Sequence, residues 1–164
     1  MADPYADLTP INMTPMERAE SLDHSPWSEY LEWPQSKTLA EYMQAYEAPS
    51  GAVLMSEFDD SNGMFLLIKG TVEIVKLDSD KNQKTLYVRK PGCVLGEISM
   101  LGGGPRSASV IAKTECLVLL LTSDDFDRLR SERPDEAFAL MRQAIRSMAN
   151  RLRQSSGQIA QWLH

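Results

Sequence analysis

Gly96-Glu97-Ile98-Ser99-Met100-Leu101 runs into Gly102, Gly103 and Gly104, and then into Pro105-Arg106-Ser107-Ala108-Ser109. These residue types, in this order, could hold an anion. A short helical turn beginning at Gly96 leaves backbone N–H groups without acceptors, and such an end attracts negative charge. The glycines let the chain double back, Pro105 fixes the entry to the next segment, and Arg106 brings a planar fork of donors to the same anion. Glu97 would repel a phosphate beside it unless it faces hydroxyl groups, and a carboxylate accepting from a ribose hydroxyl resolves that conflict. The implied ligand is a compact phosphorylated ribose. The competing reading makes Glu97 and Arg106 an ion pair across a surface loop, worth roughly 0–1 kcal/mol, with glycines that serve only the turn.

Other chemistry finds little support. His24 and His164 lie outside the apolar segments, and no cysteine or histidine pair has metal-ligand spacing, so neither a metal site nor a resident cofactor is expected. Ser99, Ser107 and Ser109 have no histidine base nearby, which leaves nucleophilic catalysis without a mechanism and no catalytic residue to name. The chain reads as a binding module and not as an enzyme.

The elements that must position these residues follow from periodicity. From Gly51 onward short apolar runs alternate with turn signals: Ala52 to Met55, Met64 to Ile68, Thr71 to Lys76, Thr85 to Val88, Cys93 to Leu95, Ser107 to Ile111 and Cys116 to Leu121. Strands of this length and spacing, punctuated by Gly and Pro, predict a sandwich or barrel and not a parallel sheet. The remainder is helical, with a short helix from Ser123 and a longer one, about residues 134–160, that tolerates Pro134 in its first turn. In the longer helix Phe138, Met141, Ile145, Met148, Leu152, Ser155 and Ile159 recur at alternating spacings of 3 and 4, a heptad seam. The seam either packs on its own β-domain or forms a parallel two-stranded homodimer, and the strictness of the spacing favours the dimer. Upstream, residues 1–35 carry five prolines and few aliphatic side chains, so extended helix or strand is not expected there. They read as a Pro-rich acidic arm ahead of a domain spanning 36–164, with Trp27 to Trp33 lying on some surface and Ser36 capping a short entry helix.

The segment LGEISMLGGGPRSASVIA resembles the phosphate-binding cassette of the cyclic-nucleotide-binding domain family: Gly-Glu-apolar-small-apolar-Leu, a short loop, then Pro-Arg-small-Ala-(Ser/Thr)-Val. The resemblance extends to FLLIKGTVEIV, to PGCVLGE and to the helix near Pro134, covering about residues 48–160. It implies an α+β fold, an antiparallel β-roll or jelly roll (double-stranded β-helix) flanked by helices, with a long C-terminal helix. It also implies ligand contacts in the cassette: Glu97 on the ribose 2′-hydroxyl, Arg106 on the equatorial phosphate oxygens, and Gly96, the amides near Ile98 and Ser99, Ser107 and the adjacent Ala108 around them. Family members that favour cGMP often carry threonine after the arginine, and Ser107 leaves the base open. The stretch Met148 to Ser156 resembles the dimer helix of the bacterial catabolite-activator branch, where adjacent hydroxyl residues from two subunits meet adenine. Ser155 and Ser156 stand in the matching places, which favours cAMP over cGMP.

A partner protein is the expected effector, the alternative being a ligand-independent adaptor of the same fold. Seven residues follow Gly157, fewer than the roughly 20 of a helix-turn-helix, so direct DNA binding is not expected. The formal charge of −6 agrees. Charge is uneven: residues 1–48 carry nine acids against two bases, whereas residues 126–164 carry seven arginines against four acids. The basic end reads as a solvated helix face or, as the sharper alternative, a docking surface for an acidic segment. No apolar run approaches membrane-spanning length, no secretory signal opens the chain, and Cys93 and Cys116 read as free buried thiols, so a cytoplasmic location is expected without membrane insertion.

Overall fold

The structure, a computed structural model, describes residues 3–162, with side chains from Asp3 to Gly157. The prolines that argue against helix in residues 1–35 start helices instead. After the short strand β1 (Thr9–Pro10), Pro15 takes the first position of α1 (Pro15–Asp23). Thr14 caps that helix, its hydroxyl accepting from Glu17 N at 3.2 Å while Glu17 Oε2 accepts from Thr14 N at 2.7 Å. Pro26 opens a 3-10 turn (Pro26–Ser28), and Pro34 lies in the first turn of α2 (Trp33–Glu41). A first-turn N–H has no intrahelical acceptor to lose, so proline is at home there. The acidic arm is therefore a helical layer on the domain, with Ala19, Leu22 and Trp27 buried while Tyr30 and Trp33 stay exposed. Ser36 is not a cap: it is buried inside α2, its hydroxyl donating to Asp23 Oδ1 at 3.2 Å.

The strands that follow are β2 (Gln44–Ala48), β3 (Val53–Met55), β4 (Met64–Lys69), β5 (Val72–Leu77), β6 (Gln83–Arg89) and β7 (Val94–Leu95). The one-turn helix α3 (Glu97–Gly102) comes next, then β8 (Ser109–Ala112), β9 (Cys116–Leu121), α4 (Ser123–Glu132) and α5 (Pro134–Trp162). All pairings are antiparallel, in two sheets ordered β1-β2-β9-β4-β7 and β3-β8-β5-β6. This is the antiparallel β-roll that the family resemblance implies. β4 and β9 read as unbroken apolar runs because both their faces are buried. Phe65, Leu67, Val118 and Leu120 enter the core between the sheets, whereas Met64, Leu66, Leu119 and Leu121 meet Leu22, Trp27, Leu39 and Leu140 in the helical layer. β6 is an edge strand and largely exposed. Cys116 is buried, Cys93 partly so, and both are free thiols.

The last helix divides the residues of its seam between solvent and its own domain. The residues that α5 buries against the rest of the domain are Ala137, Leu140, Gln143 and Ala144, on a stripe that neighbours the seam. Gln143 Nε2 donates to the Trp27 carbonyl and Arg146 stacks over the Tyr30 ring at 4.2 Å, so the N-terminal layer clasps this helix. Those contacts are aromatic and amide contacts, and among the described residues no ion pair joins the acidic N-terminal layer to α5. Phe138, Ile145 and Leu152 of the seam remain 57%, 58% and 69% exposed, whereas Met141 and Met148 are half-buried. Ile159 lies beyond the described side chains. Gly157, a candidate helix end, leaves α5 uninterrupted to Trp162.

Candidate ligand-binding site

A cavity of about 430 Å³ opens between the four-stranded sheet, α3 and the C-terminal half of the described part of α5. Small-molecule sites commonly fall between roughly 300 and 1,000 Å³. Its floor is Met55, Ile74, Leu95 and Val110; Tyr87 and Arg89 of β6 form one wall, and Met148, Arg151, Leu152 and Ser155 of α5 form another. Of the sequence-derived candidates, Gly96, Glu97, Ile98, Ser99, Arg106, Ser107, Ala108 and Ser155 line it. Ser156 does not: its hydroxyl donates to the Leu152 carbonyl at 2.9 Å and the residue is exposed, so within one chain only the first serine of the pair reaches the cavity. A helix turns by about 100° per residue, which separates adjacent serines onto different faces.

Arg106 is 2% exposed, an unusual burial for a guanidinium, and its bonds explain how it is held. Nε donates to Ser61 Oγ at 3.1 Å, and Nη1 donates to the Gly96 carbonyl at 3.1 Å and to Ser99 Oγ at 2.7 Å. Nη2 has no partner. A buried cationic donor without an acceptor is costly, so the arrangement around Arg106 suits an anionic ligand. Gly96 adopts φ 81°, and a Cβ built on it would run into Arg106 Nη1, so glycine is required for both reasons. The first-turn amides of α3, at Glu97, Ile98 and Ser99, add donors without intrahelical acceptors.

Glu97 is 1% exposed and its Oε1 pairs with Nη2 of Arg151 on α5. Sequence reasoning missed Arg151, although it stands four residues before Ser155 and so shares its helix face. It also missed Arg89, whose guanidinium lies 4.8 Å from the Tyr87 ring. Burial and the neighbouring Arg89 both depress the Arg151 pKa. Burial likewise lowers that of Arg106, with Tyr5 and Asp59 nearby opposing the shift. With three arginines facing the cavity and Glu97 as its acidic member, the lining is net positive and suits an anion carrying hydroxyl groups.

The sequence model of the cyclic nucleotide-binding domain matches residues 46–133, more than half of the chain. The chain belongs to that family. A solved cyclic nucleotide-binding domain from Methylobacillus flagellatus superimposes with a TM-score of 0.82 at 26% identity, covering 95% of this chain and 89% of that one. The CRP-like cAMP-activated global transcriptional regulator of Mycobacterium tuberculosis is 25% identical over 122 residues, which are 74% of this chain and 53% of the regulator. A cAMP-dependent protein kinase regulatory subunit from Pyricularia oryzae is 36% identical over 91 residues, 56% of this chain and 23% of that subunit. This chain thus spans about half or less of these two curated relatives, both named as regulators. The matched residues include β4, β5, α3 and β8 with Glu97 and Arg106; the N-terminal helical layer and α5 lie outside them.

Proposed function

We propose that this cyclic nucleotide-binding domain is a sensor that takes up cAMP in preference to cGMP and signals to a partner protein without catalysing a reaction. The observation that carries the proposal is the unpartnered Nη2 of a buried Arg106 in a cavity lining that also holds Glu97, a carboxylate suited to ribose hydroxyls. The cyclic phosphate would accept from Nη2 and the α3 amides, and the ribose 2′-hydroxyl would donate to Glu97. The base would then lie against Met148, Leu152 and Ser155 of α5, where the Ser155 hydroxyl can bond a purine edge. The curated relatives named for cAMP support that choice of base. A ribose bound to Glu97 competes with Arg151 for the same carboxylate, so ligand changes the tie between α3 and α5 and with it the surface that α5 offers. The exposed heptad seam on that surface supports a homodimer through α5, in which a partner's Ser156 could approach the second cavity.

Titration calorimetry with cAMP and cGMP, run with light scattering for stoichiometry, tests the reading. Saturable binding in the micromolar range, tighter for cAMP, is expected, together with altered hydrogen exchange across residues 134–162 on saturation. Failure of both nucleotides to bind would leave a ligand-independent adaptor of the same fold.

A further inference from the structure

We infer that Tyr5 is a positioning residue of the phosphate site, acting through Arg106. This rests on the ligand reading given above, but on different observations. Tyr5 lies outside the family-matched residues 46–133 and is brought to the site by an N-terminal strap. β1 pairs with β2, Asp7 Oδ2 accepts from Val53 N at 2.9 Å, and a turn in which Leu8 N donates to the Tyr5 carbonyl at 2.9 Å buries Leu8. The Tyr5 ring then meets Phe65 edge-on, with centroids 5.4 Å apart.

The hydroxyl end of that ring reaches a place where backbone has been kept bare. A Cβ at Gly63 would lie 2.5 Å from the Tyr5 hydroxyl, so glycine is what admits it. A Cβ at Gly96 would in turn lie 2.8 Å from the Gly63 carbonyl and collide with Arg106 Nη1. Tyr5, Gly63, Gly96 and Arg106 are therefore packed in series without room for a methyl group between them. Ser61, Gly96 and Ser99 occupy Nε and Nη1 of Arg106, and the Tyr5 hydroxyl and Asp59 are further polar groups beside the guanidinium. Burial raises the Tyr5 pKa above its ordinary value, so the phenol is neutral at physiological pH. A neutral oxygen can steady the guanidinium plane without adding a second carboxylate to that of Asp59, which would compete further with a phosphate.

The test is Tyr5→Phe in the full chain, which keeps the contact with Phe65 and removes only the oxygen. Affinities for cAMP and for adenosine, which lacks the phosphate, are measured by calorimetry, and the Arg106 guanidinium signals are followed by ¹⁵N NMR without ligand. The expected result is about tenfold weaker cAMP binding, unchanged adenosine binding or unfolding midpoint, and faster rotation of the Arg106 guanidinium. Unchanged cAMP affinity, or equal losses for both ligands, would overturn the role of Tyr5 while leaving the cyclic-nucleotide reading in place. A wild-type chain that binds no cAMP would overturn that reading and the Tyr5 role together.

Discussion

At the scale of single residues, the cavity works through side chains that burial makes sensitive. Arg106→Glu replaces a buried cation of the cavity lining by a second carboxylate alongside Glu97, and should abolish cAMP binding in calorimetry. Arg106→Lys keeps the charge but loses the fork held by Ser61, Gly96 and Ser99, and should retain only weak binding. Circular dichroism on both variants separates lost binding from lost folding; full cAMP affinity in a folded Arg106→Glu would remove the phosphate from this site. Cys93 has the opposite character. Burial pushes its thiol from 9.0 up to about 11, opposed by Arg89 and Arg151. At pH 8 that leaves about a hundredfold less thiolate. Alkylation by iodoacetamide at that pH should be far slower than for a free cysteine, and should accelerate steadily towards pH 11. A rate like that of a free thiol would mean the core around Cys93 opens readily.

At the scale of elements, capping decides where the N-terminal helices begin. Thr14 and Glu17 satisfy each other's backbone N–H groups at the head of α1, and α1 buries Ala19 and Leu22 against the domain. Thr14→Ala should therefore lower global stability by about 1 kcal/mol, seen as a reduced urea midpoint at unchanged slope. A change within error would mean that α1 is held by its packing alone. Sequence and structure part here for a definable reason. Proline has the same fixed φ in an extended arm and in the first turn of a helix, and the caps at Thr14 and Ser25 become meaningful only with the buried face they introduce. The strands, by contrast, were legible, because both faces of β4 and β9 are buried and their apolar runs admit few other structures.

For the whole molecule, α5 divides its apolar residues between two faces. Leu140 is fully buried in the helical layer, so Leu140→Ala should cost about 2–5 kcal/mol of stability. Ile145 is 58% exposed on the heptad seam. Ile145→Glu should leave the unfolding free energy of the isolated chain nearly unchanged and convert a dimer to a monomer in sedimentation velocity. A wild-type chain that sediments as a monomer at high concentration would overturn the homodimer. The seam lies on the helix that carries Arg151 and Ser155, so its pairing and the occupancy of the cavity act on the same element.

The cassette from Gly96 to Ala108 was legible from sequence alone, because an anion site made by one loop needs its glycines, carboxylate and guanidinium close together in the chain. The antiparallel all-β core was also legible, through its alternating and continuous apolar runs, and its β-roll form was what the family resemblance implied. The tertiary structure decided what distant segments contribute. Arg151 meets Glu97 because α5 folds back over α3, and Tyr5 reaches Gly63 and Arg106 because β1 adds to the sheet edge at β2. Neither contact leaves a local pattern, since each depends on chain segments far apart in sequence whose approach is set by packing.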